Sequence, residues 1–143
     1  MIALALLCAA IAAITDLRDG FIYDRLTIPA AVLLAATACT RDALPAAIAG
    51  ALACGGALLI LHGVTRGRGV GLGDVKLAAV VGAGLGLPYG LIAIGAAFVA
   101  GTCVALPLLV LRRVSRRDRL PFAPFIAAGT IAASFCPGGA LHA

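Results

Sequence analysis

Residues 69–86 read GVGLGDVKLAAVVGAGLG. Three glycines alternate up to an aspartate, Asp74. Lys76 follows two places on, and beyond it the stretch holds only apolar residues and glycine. A carboxylate at the lip of such a run is costly to keep there unless something nearby stabilises or uses it. The run belongs either in a protein core or in a bilayer, and the rest of the chain decides between the two.

The 143 residues are 63% hydrophobic and 12% charged, with a mean hydropathy of +1.14. That leaves too few polar side chains to cover a globule. The apolar runs are long and nearly uncharged, which predicts helices in a bilayer. Weak alternation and abundant Gly and Ala oppose a transmembrane barrel. The expected fold class is all-α, a polytopic integral membrane bundle. Breaks in the pattern place spans at about residues 1–15, 26–40, 43–65 and 120–136. Residues 75–111 are too long for one crossing of a ~30 Å core at ~1.5 Å per residue. The punctuation Gly86-Leu87-Pro88-Tyr89-Gly90 divides them, so six spans are expected in one domain, 1–143. Residues 1–15 lack a basic leading segment, so they read as a retained span rather than a signal peptide.

The net charge of +5 is unevenly placed. Arg18, Arg25, Arg66, Arg68, Lys76, Arg112, Arg113, Arg116, Arg117 and Arg119 lie in or beside the connectors after the first, third and fifth runs; only Arg41 lies elsewhere. The positive-inside rule makes that side cytoplasmic and puts both termini outside, in a multi-pass protein of the inner (cytoplasmic) membrane. No basic stripe interleaved with aromatics suggests a nucleic acid. Cys8, Cys39, Cys54, Cys103 and Cys136 sit in apolar runs without CxxC spacing, as packing residues do. With only His62 and His142 beside them, no metal site and no cofactor are expected. Gly82, Gly86 and Gly90, four apart, predict close helix packing.

All six acids are aspartates. Asp16 closes the first run and Asp74 opens the fourth, so both fall at the same membrane boundary. Two carboxylates held together share a proton. The ionised one can take a proton from water while the protonated one polarises a scissile carbonyl. Asp16 and Asp74 are therefore the candidate catalytic pair, with Asp19 as second choice for the first position. Gly71 and Gly73 leave the backbone bare, so a substrate strand could lie against it. Asp74 also suits the N-cap of the fourth helix. Lys76, two positions on, faces elsewhere and suits charge anchoring at the interface. His62, near the end of the third run, reads as an interfacial side chain rather than a base. Ser115 and Ser134 lack a nucleophile elbow, and 67–73 fits neither GxGxxG nor Walker A. The rival reading is a small proton-coupled transporter using the same two aspartates, although no acid lies mid-span and no inverted repeat is visible.

The segment GLGDVKL at 71–77 resembles the signature of the GxGD aspartyl peptidases, in the form used by type IV prepilin peptidases. DLRDGFIYDRLT at 16–27 resembles that family's first catalytic segment, with Tyr23 where Pro is usual, and LPFAPFIAAG at 120–129 resembles its Pro-Phe-x-Pro segment. The resemblance implies Asp16 and Asp74 as the catalytic aspartates and Gly71 and Gly73 as the motif glycines. It also implies a membrane-anchored substrate, a pilin-like precursor with a short basic leader before a hydrophobic helix. Larger relatives carry paired CxxC motifs linked to N-methylation. This chain has none, and it resembles the short, peptidase-only members.

Overall fold

The computed structural model describes residues 1–20, 22–67, 69–111 and 121–136. Six helices follow in order: α1 Ile2–Asp19, α2 Asp24–Thr40, α3 Leu44–Val64, α4 Leu72–Leu85, α5 Tyr89–Val110 and α6 Ala123–Ser134. The described residues form no strand, and each expected apolar run holds one helix. Arg68, the arginines of 112–119, Ser115, Asp118, Leu120 and His142 lie outside the described residues.

The helix ends follow from local chemistry. Past α1, Gly20 takes a left-handed φ of 68° and returns its N–H to the Asp16 carbonyl at 2.9 Å, a turn that favours glycine. α3 carries Pro45 in its first turn, where a missing N–H costs nothing. α4 stops where Gly86 turns at φ 67°.

α4 is the axis of the bundle and touches all five other helices. Eight of its 14 residues are buried, so its small side chains set how near the neighbours come. Gly50 of α3 lies directly on Gly82; a Cβ on either would run into the other's carbonyl. Gly90 of α5 closes the same junction, with space for a Cβ only 2.9 Å from Cys54 Sγ. Gly84 lies against Ala5 of α1, and Gly129 of α6 lies against the α5 backbone at Ala93 and Ala97. Such backbone approach is how small residues hold membrane helices together. Of the three evenly spaced glycines, Gly82 and Gly90 pack as expected. Gly86 also lies close to Gly50, where a Cβ would come within 3.1 Å of the Gly86 Cα, but its positive φ and the open space around its own Cβ position show that it serves the turn as well.

The outer surface is apolar, with Leu7, Ile14, Leu52, Ile60, Val99 and Val110 all exposed. α3 and α5, of 21 and 22 residues, are long and apolar enough to cross a membrane, and only 28% and 22% of their apolar windows are buried. A core helix of a soluble domain would be mostly enclosed, so these two face outward. α4 and α6, with 14 and 12 residues, extend only ~21 Å and ~18 Å at ~1.5 Å per residue, less than a ~30 Å hydrocarbon core. α6 is shorter than the run expected at 120–136, while α4 starts three residues before the run expected from 75.

Candidate active site

Two helix N-termini and one helix C-terminus converge at one end of the bundle. Asp16 stands in the last turn of α1. Its Oδ2 accepts a hydrogen bond from the N–H of Ala123, the first residue of α6, at 3.1 Å. That amide has no partner inside its own helix and carries the positive end of the helix dipole, so a carboxylate is a favourable neighbour. The seat is fixed by aromatic packing: Phe122 lies 5.0 Å from Phe98 of α5 and 6.2 Å from Phe125, ring centre to ring centre.

Asp74 enters from the other side. The helix α4 begins three residues earlier than an Asp74 N-cap would require. Gly71, extended at φ −77° and ψ 157°, is the N-cap, and Asp74 is the third helical residue. The carboxylate reaches back, and Oδ2 accepts the Gly71 N–H at 3.0 Å. Asp74 is 9% exposed, a low value for a carboxyl with one hydrogen bond.

Both groups lie just outside the apolar runs 1–15 and 75 onward, and their environments differ. Burial raises Asp16, opposed by the amides of Ala123 and Phe122. Burial also raises Asp74, to about 6; the Gly71 N–H opposes this, and the Asp16 charge adds to it. The Asp16 carboxyl ionises first and meets an uncharged neighbour. Asp74 ionises second and bears the repulsion. Below about pH 6 Asp74 keeps its proton, and of the two carboxyls Asp16 is the one that gives its proton up first as pH rises.

The connector between α1 and α2 covers this end. Ile22 packs on Gly73, where an added Cβ would come within 2.9 Å of Ile22 Cβ. Tyr23, in place of a proline, has φ −76° and ψ 132°, a backbone that proline also adopts, so the turn survives the exchange. Its hydroxyl donates to Asp19 Oδ2 at 3.0 Å in the exposed connector. Asp19 is thus engaged locally, while the charge that bears on Asp74 is that of Asp16. Lys76 faces away from Asp74 and pairs with Asp24 Oδ1 of α2 at 2.6 Å. Both partners are about half exposed, and a pair of this kind contributes at most ~1 kcal/mol.

Two contacts escaped the sequence reading, each involving a backbone group. One is made by the Ala123 amide; the signal for it was Pro124 in the first turn of α6, which marks a helix start and hence a seat for an anion. The other is made by His62, whose Nδ1 lies 2.7 Å from the Val70 carbonyl in the loop before Gly71. No spacing rule would have paired them.

Residues 3–106 match the type IV leader peptidase family. The chain belongs to this family. It is 40% identical over 146 residues to a prepilin leader peptidase/N-methyltransferase of Burkholderia pseudomallei strain K96243, an alignment covering 90% of this chain and 44% of that protein. Identity to the prepilin leader peptidase/N-methyltransferase of Bacillus subtilis strain 168 is 36% over 125 residues, covering 86% and 50%. With the Escherichia coli protein named Leader peptidase HopD it is 34% over 122 residues, covering 79% and 77%. The chain spans about half the length of the first two relatives. No solved structure matches it. Asp16, Gly71, Gly73 and Asp74 all fall inside the leader peptidase match, and α6 lies beyond it. Nothing in these similarities favours a transporter.

Proposed function

We propose that this chain is an aspartic endopeptidase that removes the short basic leader of type IV pilin-like precursors at the cytoplasmic face of the inner membrane. The observation that carries the reading is the pair of carboxyls at one end of the bundle, Asp16 on the Ala123 amide and the buried Asp74 on the Gly71 amide. The leader peptidase family supports the substrate class.

In this mechanism the Asp16 carboxylate removes a proton from water, and the oxygen attacks the scissile carbonyl carbon as Asp74 gives its proton to the carbonyl oxygen. The resulting diol collapses. Asp16 returns the proton to the leaving nitrogen, Asp74 recovers one from a diol hydroxyl, and the C–N bond breaks. One water is consumed and both acids return to their starting states. Gly71, exposed beside Asp74 and bare of a side chain, lets an extended substrate lie close to the carboxyl, and Gly73 does the same once Ile22 moves aside.

The six helices are read as six crossings of one domain with both termini outside. The short α4 is enclosed by neighbours of which four are longer, as a membrane interior requires of irregular backbone at its ends. A basic leader stays cytoplasmic by the charge rule that orients the enzyme, which brings the bond between leader and helix to the depth of Asp16 and Asp74.

The deciding experiment reconstitutes the chain in liposomes with a pilin-like precursor. Leader release by the wild type, and none by Asp16→Asn or Asp74→Asn, is expected; full cleavage by either variant would end the proposal. The pH profile carries a further expectation. Because the protonated form of Asp74 is the working form, kcat/KM falls as pH rises through about 6, by about tenfold per unit beyond it. A rate that keeps rising from pH 5 to pH 8 contradicts the assignment of the acid.

A further inference from the structure

His62 has no role in the steps above, yet its ring is tied to the loop that delivers Asp74. The Val70 oxygen can only accept, so Nδ1 of His62, 2.7 Å away, carries the hydrogen. The same peptide group ends in the Gly71 N–H, which donates to Asp74 Oδ2 at 3.0 Å. A peptide is planar, so fixing its oxygen fixes the direction of its N–H. We propose that His62 is a positioning residue for Asp74: by holding the Val70 carbonyl it aims the Gly71 N–H at the Asp74 carboxyl.

The surroundings fit this role. The Gly67 N–H donates to the His62 carbonyl at 2.8 Å, and a Cβ on Gly67 would lie 3.1 Å from the imidazole, so the loop folds onto the ring. Gly67 has φ 71°, which permits that fold. The Thr65 hydroxyl donates to the Leu61 carbonyl at 2.8 Å, closing the end of α3. The Val70 side chain is buried at 4% exposure, so one side of the peptide is anchored. The other side is glycine, and rotation about the Val70–Gly71 peptide is cheap there. His62 is the contact that opposes it. Hydrogen bonds in series also strengthen one another, so the held carbonyl makes the Gly71 N–H a better donor.

The inference rests on Asp74 being a working acid, and its test separates the two ideas. His62→Asn places an amide N–H where Nδ1 stood; His62→Leu has the shape of Asn without the donor, and His62→Phe keeps a ring without the donor. All six acids are aspartates, so aspartate labelled with carbon-13 at the carboxyl gives a countable NMR spectrum in micelles, with Asp74 assigned by Asp74→Asn. In the Leu and Phe variants the Asp74 midpoint should rise by roughly one unit as the N–H is lost. The descending limb of the cleavage profile should move up equally, and kcat should drop several-fold at unchanged KM. The Asn variant should restore the wild-type values. An Asp74 midpoint unmoved in both Leu and Phe, or shifted equally in Asn, overturns the proposal. Should one donorless variant fail to fold, the other with Asn still decides. Failure of the wild type to cut any precursor would defeat the peptidase reading, and the titration would still judge His62.

Discussion

Asp74→Asn is expected to cut leader removal by at least about a thousandfold while making the protein harder to unfold at neutral pH. The second half follows from the same burial that makes the group useful. In the folded chain Asp74 ionises at about 6 against an ordinary 3.8. Between those values the unfolded chain is ionised and the folded one is not, so stability falls as pH rises through the window. Above it the folded state carries the full cost of a buried charge, about 3 kcal/mol for a shift of about two units. Asparagine never ionises and keeps an acceptor for the Gly71 N–H. The variant should therefore unfold later than wild type at pH 7, by up to that amount, and match it near pH 3.5. Thermal midpoints in one detergent at the two pH values measure this. An inactive variant with a lowered midpoint at pH 7 would mean a damaged fold and would remove the evidence for catalysis.

The other large effect concerns a methyl group. Gly82→Ala puts a Cβ into the Gly50 carbonyl, and neither partner is a flexible side chain that can swing away. Helices α3 and α4 must separate, and with them the junction that Gly90 and Cys54 complete. A loss of about 2 kcal/mol or more is expected, at the upper end of overpacking costs. Gly95→Ala adds the same methyl to α5 at a site with nothing within 4 Å. There the better helix propensity of alanine should be neutral or worth up to ~1 kcal/mol. The contrast in thermal midpoint between the two variants is the measurement. Equal effects would mean that the helices do not approach as described.

Hydropathy located the helices, because an uninterrupted apolar run leaves the backbone little choice but to bond to itself, and the turn residues 86–90 separated the fourth from the fifth. Asp16 and Asp74 stood out as candidates for a related reason: acids are rare in this chain, and these two border apolar runs on the side where the basic residues gather. What escaped were partners made of backbone. A sequence names side chains, so the Ala123 and Gly71 amides that hold the two carboxyls do not announce themselves. The equal spacing of Gly82, Gly86 and Gly90 concealed two different uses, since the spacing does not say where a helix stops. The start of α4 was misplaced because Gly71, with no side chain to cap, leaves that work to Asp74 from inside the helix. Lys76 and Asp24, 52 positions apart, pair through the packing of α2 on α4, which no local pattern encodes.

The amide that receives Asp16 lies 107 residues downstream of it. In the proposed mechanism a ribosome thus releases both acids into the membrane well before their full support exists. Until α6 docks, Asp16 lacks its seat, and a half-made protease is harmless to its neighbours. A fragment stopped at residue 111 should insert and cut nothing, and supplying the remaining segment as a separate peptide should start the enzyme.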